Sequence, residues 1–180
     1  MVLPFWSICI WILSQGTGFA VGIWLVGKHN TKVVWTANRN DPPVSEDSTI
    51  VLTEYGELLY IIGQEGEKLI ATNTEAASFA SLHDSGNLVL YNKNSEVIWE
   101  SFKYPTDTIL GALATYELST VPISKIIENL YYNSLSANND NSTIYRATLD
   151  TDGVLRLYSH RYDETGELKA KSQWAIAKSL

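Results

Sequence analysis

The chain has 180 residues, 45% of them apolar, enough to bury the core of one domain, or of one domain and part of a second. Its net charge of −7 provides no basic footprint for a phosphate backbone and is repelled by anionic membrane surfaces, so nucleic acid is not an expected partner. A single cysteine, Cys9, leaves no disulfide framework and no thiolate metal site, so packing and strand pairing must hold the chain together.

The chain opens on an apolar run, Met1 to Leu13 (M-V-L-P-F-W-S-I-C-I-W-I-L). It is too short for a membrane-spanning helix, which takes about 20 apolar residues. Two readings fit residues 1–15: the apolar part of a signal peptide without the usual basic start, or a strand cut short at its front. No other segment has the length to cross a membrane. Strand signals follow. Gly22 to Val26 and Lys32 to Thr36 are β-branched and aromatic runs, with His29-Asn30 as a turn between them. Asn38 to Val44 (N-R-N-D-P-P-V) reads as a loop, because Pro42 and Pro43 remove two backbone donors.

A repeat then begins. Its unit is a polar turn, an alternating apolar strand and a second apolar strand. The first copy is Glu54 to Tyr60, followed by Lys68 to Thr72. The second is Asp84 to Tyr91, followed by Glu96 to Trp99. The third is Asp150 to Tyr158, followed later by Gln173 to Ile176. Gly56 and Gly86 lie 30 residues apart, and Gly86 and Gly153 lie 67 apart, which leaves room for a decayed copy with Asn129-Leu130-Tyr131-Tyr132 as its remnant. Each unit is a hairpin with one apolar face that it cannot bury alone, so several must pack around a shared core. Residues 119–142 break the pattern. Ile123 to Tyr132 fits a short helix or a strand, and Ser136 to Ser142 (S-A-N-N-D-N-S) reads as an exposed loop. That loop holds the sequon Asn141-Ser142-Thr143, which makes Asn141 the expected glycosylation site of a secreted chain.

Three ordered segments carry a family resemblance. Val33 to Val44 (V-V-W-T-A-N-R-N-D-P-P-V) resembles the V-W-x-A-N-R-x-x-P-V signature of bulb-type lectin domains in plant receptor kinases. Leu82 to Leu90 (L-H-D-S-G-N-L-V-L) resembles their L-x-D-S-G-N-L-V-L segment, and Trp99 to Thr108 (W-E-S-F-K-Y-P-T-D-T) their W-E-S-F-x-x-P-T-D-T segment. Ile144 to Asp150 and Leu155 to His160 are similar to the next part of the G-type lectin S-receptor-like kinases, so the resemblance covers roughly residues 16–176. It implies an all-β fold: a β-prism of three antiparallel sheets about a pseudo-threefold axis, formed by 16–118, with 119–180 as a partial second lectin-like repeat. Kinase members of the family continue into a transmembrane helix and a cytoplasmic kinase. This sequence has no Gly-rich phosphate loop and no H-R-D or D-F-G triplet. The resemblance therefore implies a truncated piece of a receptor-kinase ectodomain, with a first sheet incomplete at its front.

Sugar-binding members of the family use Q-x-D-x-N-x-V-x-Y along one strand, where amide, carboxylate and phenol groups meet sugar hydroxyls. Alternate residues of a strand face one side, so this spacing puts all five on one surface. The matching positions here are His83, Ser85, Asn87, Val89 and Tyr91. His83 can still donate or accept, whereas Ser85 cannot replace a carboxylate that accepts two hydroxyls. Asp84 is one residue off and should point to the other face. The first copy places Thr53, Tyr55, Glu57, Leu59 and Ile61 in this frame. The third keeps Asp150 and Asp152 but has Val154 and Arg156 where Asn and Val belong. Neither is expected to hold mannose. Trp24, Trp35, Trp99 and Trp174 are expected to fill the core.

Nothing in the sequence argues for catalysis. His29, His83 and His160 sit in turn-like or strand-end positions, without a nucleophile arrangement or metal-ligand spacing around them, and no cofactor is implied. Asp47, Asp107 and Asp163 read as turn or surface acids. The expected function is thus a secreted or cell-surface carbohydrate-binding module with weakened affinity for mannose-type glycans. The alternative is a sugar-independent interaction module on the same scaffold, pairing with itself or with another receptor ectodomain.

Overall fold

The computed structural model describes residues 7–16, 18–29, 31–37, 39–63, 66–71, 75–104, 106–110, 143–165 and 167–177. The sequon Asn141, the stretch 119–142 and the proposed remnant at 129–132 lie outside them. All described regular structure is strand except one 3₁₀ turn, Ser101–Lys103. The first sheet, expected to be incomplete at its front, has three strands in the order β1 (Ser7–Gln15), β2 (Gly18–Val26), β3 (Thr31–Thr36). The apolar N-terminal run therefore contributes a strand. Two antiparallel three-stranded sheets follow, β4 (Thr49–Leu52), β5 (Leu58–Ile62), β6 (Gly66–Leu69) and β7 (Phe79–Leu82), β8 (Leu88–Tyr91), β9 (Val97–Glu100). The fourth has four strands, β10 (Thr108–Leu110), β11 (Thr143–Leu149), β12 (Val154–Tyr162), β13 (Leu168–Ala177). This all-β set of antiparallel hairpins is consistent with a β-prism lectin fold.

The three repeat copies share one turn. Gly56, Gly86 and Gly153 have φ of +76°, +85° and +77°. Their amides donate to Thr53, His83 and Asp150 at 3.0, 2.8 and 2.9 Å. The same three residues donate in turn to the carbonyls of Glu57, Asn87 and Val154 at 2.9, 2.9 and 3.0 Å. A positive φ at the fourth position closes this loop, and glycine reaches it without a Cβ penalty. The next hairpin, Asn92 to Glu96, makes the same two bonds with Ser95 at φ +63° in that place.

Contacts group the chain into two compact units: Met1–Ser7, Leu25–Val34 and Asp107–Leu180 in one, Ile8–Trp24 and Trp35–Thr106 in the other. In the second unit Val21, Val44 and Tyr60 form a buried cluster, lined by Phe19, Ile50 and Ile62. Trp35 and Trp99 are buried and meet edge to face at 6.0 Å, the core role expected of them. Trp24 is also buried, its indole N–H donating to the Trp11 carbonyl at 3.2 Å.

In the first unit His160 departs from its expected strand-end position: it lies within β12 and is 1% exposed. Arg146 Nε donates to His160 Nε2 at 2.6 Å, and the Arg146 guanidinium sits 4.2 Å from the centre of the Tyr158 ring. Burial, reinforced by Arg146 and Lys32, pushes the His160 pKa down to about 4. The unfolded chain, with an imidazole pKa of about 6.5, then binds more protons than the folded one between those two values. Stability is full above about pH 6.5 and falls as pH drops toward 4. We expect a loss of about 2 kcal/mol between pH 7 and 4.5, read by urea unfolding, and a flatter profile for His160→Gln. Parallel profiles for the two proteins would contradict this.

Candidate functional site

Among the five residues of the expected sugar row, β8 carries only Val89 and Tyr91; His83, Ser85 and Asn87 belong to the turn before it. The pleat that would align all five begins only at Leu88, and Gly86 at φ +85° turns the backbone away from strand geometry just before it. The five positions therefore do not lie along a single strand, although the first and last of them, His83 and Tyr91, meet at 3.0 Å. Both faces of β8 are covered, since Leu88, Val89 and Leu90 are all buried.

Asn87 points inward and is 2% exposed. Its Nδ2 donates to Glu100 Oε2 at 2.9 Å. Its Oδ1 accepts from Ser101 Oγ at 3.3 Å and from the Phe102 amide at 3.2 Å. Lys103 closes the far side of Glu100 at 3.0 Å. Ser85 Oγ accepts from the Asn87 amide at 3.3 Å. His83 and Tyr91 are brought together instead, with Nε2 and Oη 3.0 Å apart, and the Phe79 ring stacks on Tyr91 at 4.8 Å and 14°. Asp84 is an exposed turn residue.

The equivalent positions of the other copies have different surroundings. In the first copy Tyr55 is exposed in the turn and Leu59 is core. In the third, Arg156 pairs with Asp150 at 2.8 Å and with Asp152 at 2.7 Å, while Tyr158 Oη donates to Asp150 at 2.6 Å. The Arg156 guanidinium holds the Asp152 carboxyl down at about 2. Among the described residues no three His, Cys, Asp or Glu side chains converge as a metal site.

A second concave feature went unread in the sequence. A cleft of about 500 Å³ opens in the Ile8–Trp24 and Trp35–Thr106 unit, within the range of small-ligand sites. Its walls come from Arg39, Asn40 and Asp41, from the turn after β9 (Tyr104, Thr106) and from Trp35 and Trp99. Tyr104 is half exposed and lies nearly parallel to Trp99, at 5.6 Å and 10°. Its carbonyl accepts from the Trp35 indole at 2.7 Å, and its amide donates to Ser101 at 2.9 Å. Asp41 pairs with Lys68 at 2.9 Å and accepts from Tyr60 Oη at 2.7 Å, and these two donors, Lys68 foremost, lower its pKa. The signal for it lies in the polar residues within two of the quoted signatures, Arg39 to Asp41 in one and Thr106 in the other. That signal is weak because buried tryptophans such as Trp35 and Trp99 fit core packing equally well.

Residues 32–120, which contain both the row and the cleft, match the family described as D-mannose binding lectin. The chain carries a bulb-type lectin domain. The lectin domain is similar to three proteins of Arabidopsis thaliana. It is 34% identical to the G-type lectin S-receptor-like serine/threonine-protein kinase CES101 over 106 residues, 56% of this chain and 12% of that one. It is 37% identical to the kinase of the same description SD3-1 over 98 residues, 51% of this chain and 13% of that one. It is 33% identical to the receptor-like serine/threonine-protein kinase SD1-7 over 105 residues, 56% of this chain and 12% of that one. The chain thus covers about an eighth of the length of these relatives. No helix among its described residues is long and apolar enough to cross a membrane.

Proposed function

We propose that this lectin domain is a non-catalytic carbohydrate-binding module displayed outside the cell, with weak affinity for mannose-type glycans. The contact runs through the rim formed by His83 and Tyr91, with Ser85 beside it and Asn87 and Val89 as inner support. The observation that carries this reading is the half-open pair of His83 Nε2 and Tyr91 Oη, 3.0 Å apart on the stacked Phe79 ring. It sets two hydrogen-bonding groups on an aromatic base. Weakness follows from Ser85, which lacks a carboxylate's charged acceptors, a difference of about 1.5–3 kcal/mol or roughly 10- to 150-fold in affinity. Titration with methyl α-mannoside should give millimolar binding that Tyr91→Ala reduces at least tenfold. No binding by the parent chain above background at millimolar sugar would sink the reading.

A second reading, a protein-interaction module, is favoured by one feature. The sheet of β7, β8 and β9 exposes Phe79 (43%) and Val97 (51%) on its two outer strands. Self-association or pairing with another receptor ectodomain would cover them. Light scattering that stays monomeric at all concentrations, together with no captured ectodomain, counts against it.

A further inference from the structure

We propose that the cleft beside Tyr104 and Asp41 is a second saccharide site, separate from the His83–Tyr91 rim, that takes one neutral pyranose ring. Its aromatic platform is fixed in advance. The Tyr104 backbone is tied on both sides, by the Trp35 indole N–H to its carbonyl and by its own amide to Ser101, and its ring is backed by Trp99. Tyr104 is half exposed and lines the cleft. A pyranose presents a flat patch of C–H groups that packs on an aromatic face, and an amphipathic aromatic accepts it without losing its wet edge.

The polar side is fixed as well. Asp41 accepts one bond on each carboxylate oxygen, from Tyr60 and from Lys68, and a carboxylate has about four acceptor positions. Each oxygen keeps a lone pair for a sugar hydroxyl, in a group whose charge is held by its two protein donors. Arg39, Asn40 and Thr106 stand on the same walls: the guanidinium donates, and the amide and the hydroxyl can both donate and accept. An aromatic face, a pre-oriented carboxylate acceptor, the Arg39 guanidinium and neutral polar side chains around about 500 Å³ fit a ring bearing several hydroxyls, each of which can both donate and accept. An apolar ligand would leave Asp41 desolvated beside it.

The site differs from the rim in every residue, so the two are separable. The test titrates the full chain with methyl α-mannoside, methyl β-glucoside and methyl β-galactoside, following the Trp35 indole N–H by NMR. At least one sugar should shift that signal at millimolar concentration. Tyr104→Ala should weaken the effect at least tenfold and Asp41→Asn several-fold, whereas His83→Ala and Tyr91→Phe should leave it unchanged. Both cleft residues have side chains at the surface, and circular dichroism of each variant checks that it stays folded. No shift with any of the three sugars, undiminished binding by folded Tyr104→Ala, or a response to a tetra-arginine peptide in place of sugar would each overturn the proposal. Loss of mannose binding at the rim alone would leave the cleft signal intact.

Discussion

Gly56→Ala is expected to lower the free energy of unfolding by about 4 kcal/mol or more. Gly56 adopts φ +76°, where an L-residue is strained. An added Cβ would also meet the backbone nitrogen and oxygen of Ala77 and lie 2.7 Å from the carbonyl carbon of Ala76. The obstruction is main chain, which cannot rotate aside as a side-chain tip can. Nor can that main chain retreat without breaking the Ala77 amide bond to the Gly56 carbonyl, at 3.0 Å. Gly153→Ala supplies the control. It has the same turn and φ of +77°, but nothing lies within 4 Å of its Cβ, so only the conformational cost of about 1 kcal/mol remains. Urea unfolding followed by tryptophan fluorescence compares them. Equal losses would mean that the approach of Gly56 to the 76–77 segment has no energetic weight.

Asn87→Ala is expected to cost about 3–5 kcal/mol, and the loss should appear in stability before it appears in sugar binding. The side chain serves three buried partners, the Glu100 carboxylate, the Ser101 hydroxyl and the Phe102 amide. Glu100 is 3% exposed, so a donor removed from it is not replaced by bulk water. Losing one bond to a buried charge costs about 1.5–3 kcal/mol, and a buried amide left without its acceptor about 1–3. Asn87→Asp should be worse, since it sets a second carboxylate 2.9 Å from the first. Unfolding free energies of the three proteins at pH 7 check the order: parent above alanine above aspartate. A neutral Asn87→Ala would show that the residue faces solvent. A binding defect in this variant, taken alone, would not identify Asn87 as a sugar ligand. Tyr91 and His83, whose side chains are at the surface, give the cleaner test.

Much of the fold was legible in the residues themselves. The turn that closes each hairpin is specified within five consecutive positions, because both of its hydrogen bonds and its one positive φ lie there. Thr53 to Glu57, His83 to Asn87 and Asp150 to Val154 could therefore be recognised as copies without knowing what surrounds them. The strands on either side followed from apolar and β-branched runs, and the lectin family from three ordered signatures. The apolar N-terminus was less clear, since a strand and the apolar part of a signal peptide have the same composition. Pairing with β2 is what makes residues 7–15 a strand here.

Which side chains meet solvent was decided by the tertiary structure. Spacing of two fixes a face only while the chain remains a strand, and residues 83–87 form a turn. Whether a face is exposed depends on segments far along the chain. Ser101 and Phe102 reach Asn87 from 14 and 15 residues away and enclose it. The Trp35 indole fixes Tyr104 across 69 residues and so builds one wall of the cleft. Local hydrogen bonds are written in local sequence; burial is a property of what packs against a residue, and it exists only once distant segments have come together.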